Sequence, residues 1–118
     1  MHTFNLTYDI AQSFPIIFFD GHITSDIEES LEETYHEIID KVDSKILIFD
    51  FSKVNYINSS GISSIIRILK MQDEKGGDLI FTDLSDHIKK VMDIVGLTEH
   101  VKIFKTTEMA IKHFNIEG

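Results

Sequence analysis

Residues 48–62 read Ile48-Phe49-Asp50-Phe51-Ser52-Lys53-Val54-Asn55-Tyr56-Ile57-Asn58-Ser59-Ser60-Gly61-Ile62. The first part, as far as Phe51 and with Lys45, Ile46 and Leu47 ahead of it, is an apolar run without polar alternation, as expected of a central strand covered on both faces. Beyond it, Ile62, Ile65, Ile66 and Leu69 recur at i, i+3, i+4 and i+7, the inward stripe of a helix that starts near Ser59 and stops before Gly76-Gly77. A buried strand running into an amphipathic helix is the repeating step of an α/β sheet, so the rest of the chain is read for more of the same.

Upstream, Phe4, Leu6 and Tyr8 alternate with polar residues, and Pro15-Ile16-Ile17-Phe18-Phe19 ends in Asp20-Gly21. These predict two strands joined near residues 11–13. Ile27, Leu31, Tyr35, Ile38 and Val42 then fall at spacings of four and three, one face of a helix, with Ser25 and Glu28 placed as a capping box. Downstream, Leu79-Ile80-Phe81 is a short strand, and Ser85 caps a third helix with Ile88, Val91, Met92 and Val95 inward, closed by Gly96-Leu97. Residues 101–104 form a last strand, and Thr106 or Thr107 opens a final helix through Phe114. The expected fold is α/β, in the order β-β-α-β-α-β-α-β-α, with a mixed sheet of four to five strands and about four helices. Residues 1–118 are expected to make one domain.

Composition narrows the function classes. The chain has 118 residues, 20 acids against 11 Lys and Arg, a formal charge of −9, one proline and no cysteine. This balance disfavours nucleic acid, and none is expected as a partner, because a polyanion needs clustered cations. A bare anionic membrane surface is disfavoured for the same reason. The N-terminus lacks the basic and apolar regions of a signal peptide and no 18-residue apolar run occurs, so the expected location is the cytoplasm.

No enzyme signature is visible. His2, His22, His36, His87, His100 and His113 show no zinc or metalloprotease spacing, and no cofactor is expected. His36 and Asp40 stand four apart, yet two ligands make a weak ion site and both flank an acidic outer face, so they read as solvated surface. A nucleophile elbow and a phosphate-binding loop are both missing. The segment that stands out is residues 55–64, with Ser59, Ser60, Ser63 and Ser64 beside Gly61 at a helix start. Asn58 or Ser59 suffices to cap the helix. The surplus of small hydroxylated residues suits a surface that admits another protein, or a hydroxyl that is phosphorylated; on composition alone, capping remains the favoured reading.

The stretch from Ile48 to Ile62 resembles the signature of the STAS family, the anti-sigma factor antagonists and their relatives: strand, short loop, an Asp-Ser-Ser/Thr-Gly-Leu type motif, helix. Gly77-Asp78-Leu79, Ser85 and Val95-Gly96-Leu97 are similar to the family's later strand, helix and Gly-Leu corner. The resemblance runs from about Phe4 to Phe114 and implies partner switching. Such a domain, when unphosphorylated, binds an anti-sigma factor that is a serine kinase of the histidine-kinase-like ATPase fold, and so frees the sigma factor. Phosphorylation of one serine, which maps to Ser59, ends that binding, and a serine phosphatase restores it. The implied partner face comprises Gly21, His22, Thr24, Asn58, Ser59, Ser60, Gly61 and Ser63, and extends toward Arg67.

Two positions depart from the family pattern. It commonly has Asp where this chain has Asn58, and another Asp after the second strand where this chain reads Gly21-His22-Ile23-Thr24. Both carboxylates serve kinase recognition in the family; Asp26 is the nearest acid that could stand in. The alternative is therefore an adaptor that binds its partner permanently, in a signalling or lipid-transport complex, with Ser59 only capping and packing. A nucleotide-binding or enzymatic domain ranks last. The acidity is concentrated: between Thr24 and Asp43 lie eight acids and one base, so that segment carries −7 of the −9.

Overall fold

The computed structural model describes residues 4–117, with side chains through Asn115; residues 1–3, which include His2, and residue 118 lie outside it. The strands are β1 (Phe4–Ala11), β2 (Phe14–Ile23), β3 (Ile46–Ile57), β4 (Asp78–Thr82) and β5 (Lys102–Phe104). The helices are α1 (Glu28–Lys41), α2 (Ser59–Glu74), α3 (Asp86–Ile94) and α4 (Thr107–Glu117), with short 3-10 turns at Ser25–Ile27 and Leu97–His100. The sheet order is β1-β2-β3-β4-β5, with β1 antiparallel to β2 and the remaining pairs parallel. The order of elements and the mixed sheet agree with the reading of the sequence, at the five-strand end of its range.

Positive φ at both Gln12 and Ser13 makes the β1–β2 connection a two-residue hairpin turn, whose twist matches that of the strands it joins. From β2 on, each crossover steps one strand in the same direction. Since such crossovers are right-handed, α1, α2 and α3 fall on one face of the sheet. That face holds the larger core: Phe19, Phe49, Phe51 and Phe81 from the strands meet Leu31, Ile38, Ile65, Ile68 and Met92 from the helices. The opposite face is covered by α4, where Ala110 and Phe114 pack on Ile16, Ile48 and Ile80. The apolar run in β3 is thus covered on both sides. Phe49 is central to the larger core, with ring centroids 4.8 Å from Phe19 and 6.0 Å from Phe81.

Four local readings differ from the structure. The β3 strand does not give way to a loop after Phe51 but continues to Ile57, because β2 also continues, to Ile23, and two register shifts keep the pair bonded. Ser25 does not cap α1: the Thr24 hydroxyl accepts from the Asp26 N–H at 3.3 Å and closes a 3-10 turn, so the α-helix begins at Glu28. In α2, Ile68 is fully buried while Ile66 and Leu69 are partly covered, which rotates the stripe slightly. Val95 is 53% exposed because α3 ends at Ile94 and the inward phase is lost. Ser85 does cap α3, accepting from the Ile88 N–H at 3.2 Å. At the start of α4 the two threonines share the work: the Thr106 hydroxyl accepts from the Met109 N–H, and Thr107 is the first helical residue.

A buried polar tie joins α1 to α2. The Tyr35 phenol donates to Gln72 Oε1 at 2.9 Å, and Gln72 Nε2 donates to the carbonyls of Asp78 and Lys45, the residues that enter β4 and β3. Burial raises the Tyr35 pKa above its ordinary value of 10.0. The unfolded chain therefore loses this proton first, so the group's contribution is complete below pH about 10 and declines as pH rises toward the folded value. Tyr35→Phe is expected to cost about 1–2 kcal/mol in urea unfolding at pH 7, because the Gln72 oxygen is left unpaired, and to flatten the loss of stability above pH about 10.

Candidate functional site

The motif serines stand where β2 and β3 end together and α2 begins. Asn58 sets that junction. Its N–H donates to the Ile23 carbonyl at 3.2 Å, its own carbonyl accepts from Ile62, and its Oδ1 accepts from the Gly61 N–H at 3.0 Å. An amide oxygen thus performs the capping that an Asp oxygen would perform, and only the charge is missing. Thr24 likewise spends its side chain on the turn before α1.

Gly61 explains itself sterically. A Cβ there would lie 2.2 Å from the Ile23 carbonyl oxygen and 2.6 Å from its carbon, both backbone atoms that cannot swing away. The first turn of α2 rests directly on the end of β2, and only a residue without a side chain permits that approach. Of the residues predicted for the partner face, Gly61 alone is buried. It shapes the face from beneath and presents nothing on it.

The others do lie together at the surface. Ser59, Ser60 and Ser63 are exposed, while Gly21, His22, Thr24 and Asn58 are half-buried around them. The Ser63 hydroxyl donates back to the Ser59 carbonyl at 3.0 Å, and the buried Ser64 does the same to Ser60 at 3.3 Å. The Ser59 hydroxyl makes no hydrogen bond among the described residues and projects into solvent. No acid stands in the first turn of α2, so the positive end of the helix dipole is uncompensated at Ser59.

Arg67 lies two turns farther along α2. Its guanidinium bridges to α1, with Nη1 3.0 Å from Glu28 and Nη2 3.1 Å from Glu32. Arg67 is half exposed, so this fork contributes at most about 1 kcal/mol, but it fixes a cation at the edge of an acidic surface. Glu29, Glu33, Glu37 and Asp40 continue that surface along the outside of α1, with His36 among them, and all five are exposed. Asp26, the candidate stand-in acid, is exposed in the 3-10 turn beside Thr24.

Reading the sequence alone missed Tyr56 as a feature of this surface. It is 45% exposed and its ring meets His22 edge to face at 5.3 Å, opposite it in the β2–β3 ladder. The signal was present: Tyr56 separates the inward Val54 and Ile57. Among the described residues no group of three or more His, Cys, Asp or Glu is placed to hold a metal, and no helix is long and apolar enough to cross a membrane.

Residues 5–110 match the model of the STAS domain. A protein of Bordetella bronchiseptica named as a candidate anti-sigma factor antagonist, BtrV, is 25% identical over 109 residues, covering 92% of this chain and 93% of its own. The structure of the anti-sigma factor antagonist SpoIIAA in its unphosphorylated form superposes with a TM-score of 0.78 at 18% identity, covering 94% of this chain and 96% of that one. The phosphorylated form of SpoIIAA, a Bacillus cell fate determinant, superposes with a TM-score of 0.71 at 18% identity over 93% and 99%. At such identities the superpositions speak for the fold, and the family match for the lineage: this chain belongs to the STAS domain family.

Proposed function

We propose that this chain is a cytoplasmic anti-sigma factor antagonist that works by binding rather than by catalysis. In its unphosphorylated form it binds an anti-sigma factor serine kinase of the histidine-kinase-like ATPase fold and releases the sigma factor. Phosphorylation of Ser59 switches that binding off, and a serine phosphatase switches it on again. The partner face is Gly21, His22, Thr24, Asn58, Ser59, Ser60 and Ser63, supported from below by Gly61.

The observation that carries this reading is the Ser59 hydroxyl: exposed, unbonded among the described residues, and set at a helix start without acids. A phosphoserine brings a charge of about −1.5 to −2, which the first-turn N–H groups and the dipole accept without unfolding the helix. One observation favours the second reading, a constitutive adaptor. Asn58 and Thr24 give the site none of the charge expected of a kinase-recognition surface, and both side chains are already used as caps.

Incubation with the cognate kinase and ATP, followed by mass spectrometry, separates the two. Phosphate on Ser59, absent in Ser59→Ala, supports the switch. An unmodified chain that nevertheless holds its partner supports the adaptor.

A further inference from the structure

Tyr56 is the one exposed Phe or Tyr among the described residues, and its phenol hydroxyl makes no hydrogen bond there. A large aromatic ring left in water at 45% exposure contributes little to folding compared with the buried Phe49 or Phe81. It is nevertheless held in place. The His22 ring packs against it at 5.3 Å with an interplanar angle of 62°, and its backbone is paired to β2 directly before the Asn58–Ile23 bond. The side chain is thus oriented before any partner arrives, which lowers the entropy lost on binding.

We infer that Tyr56, backed by His22, is the anchor of the partner face, inserted into an apolar pocket of the anti-sigma factor kinase that carries a hydrogen-bond acceptor for the phenol. The inference rests on the proposed function and adds to it the residue that supplies most of the affinity. Three observations carry it. The ring stands three residues before Ser59 and meets edge to face with His22, which lies near the end of β2 and is itself one of the residues proposed for that face, so it adjoins that face. A rigid Tyr with an apolar body and a free polar tip is the side-chain type that dominates binding energy at protein interfaces. The serines that follow it at the start of α2 are small and offer little area of their own, so a face built from them needs a larger side chain to anchor it.

Titration calorimetry of the full chain against the purified cognate anti-sigma factor kinase tests this. Tyr56→Ala and Tyr56→Gln are each expected to weaken binding by about 30-fold or more, which is the loss of a hot-spot residue. Tyr56→Phe, which keeps the ring, is expected to lose less than about 10-fold, and His22→Ala to fall between the two. Thermal midpoints are read alongside, so that a destabilised Ala variant is replaced by the Gln or His22 variant in the comparison. Wild-type affinity in Tyr56→Gln and Tyr56→Ala, with the wild type binding well, overturns the anchor and leaves the proposed function standing. A wild type that does not bind the kinase overturns both.

Discussion

Gly61→Ala is expected to lower the thermal midpoint by on the order of 10 °C, corresponding to about 3 kcal/mol for a domain of this size. Alanine is the better helix former, so on propensity alone the substitution would stabilise α2. The contact decides otherwise. The new methyl would lie 2.2 Å from the Ile23 carbonyl oxygen, and relief requires either that α2 lift from the sheet or that β2 bend. Lifting α2 strains the Asn58–Ile23 hydrogen bond and uncovers Ile62 and Ile65. Circular dichroism melts of the two proteins check the expectation; equal midpoints would mean that α2 does not rest on β2 as described. The same movement displaces Ser59, so partner binding should fall together with stability.

Ser59→Asp is expected to do the reverse, separating binding from stability. Its midpoint should stay within about 2 °C of wild type, because a carboxylate at the start of α2 meets unpaired N–H groups and the positive dipole end. Its affinity for the anti-sigma factor kinase should drop about 100-fold, since a fixed charge placed in a face of small neutral residues is desolvated on binding without a partner. Calorimetry on the wild type, Ser59→Ala and Ser59→Asp reads this directly. Ser59→Ala should bind like wild type. If Ser59→Asp binds equally well, the switch is wrong and the adaptor reading takes its place.

Periodicity made the elements legible. The uninterrupted apolar run in β3 and the spacings of four and three in α1 each follow from one face or two being covered, and the structure covers them in that way. What the sequence could not show are polar residues satisfied from far away. Gln72 looks like the surface of a helix, yet it is 1% exposed because Tyr35, 37 residues earlier, donates to it. Asp50 looks like the end of a buried run; it is held by the Thr107 hydroxyl, 57 residues later, at 2.7 Å and by the Ser52 N–H at 2.9 Å. Neither the Tyr35–Gln72 bond nor the Thr107–Asp50 bond has a local pattern. The site divides along the same line. The serines and Asn58 were readable because capping is local, whereas the reason for Gly61, the carbonyl of Ile23, is contributed by another strand. The Arg67 fork to Glu28 and Glu32 was hidden for the same reason.

The strand order, with each new strand at the edge left by the one before it, also bears on how the chain comes to be folded. In sheets whose first strand is central, later strands must find both sides of it; here β3, β4 and β5 each add to one growing edge. Every pairing closes a loop between neighbours in sequence, so the entropy of closure stays small and the contacts stay local for a mostly parallel sheet. A chain emerging from the ribosome can therefore keep each pairing it has made as the next unit arrives. The serine-bearing turn, at the start of α2, follows β3 and takes its place on Ile23 before β4 is needed.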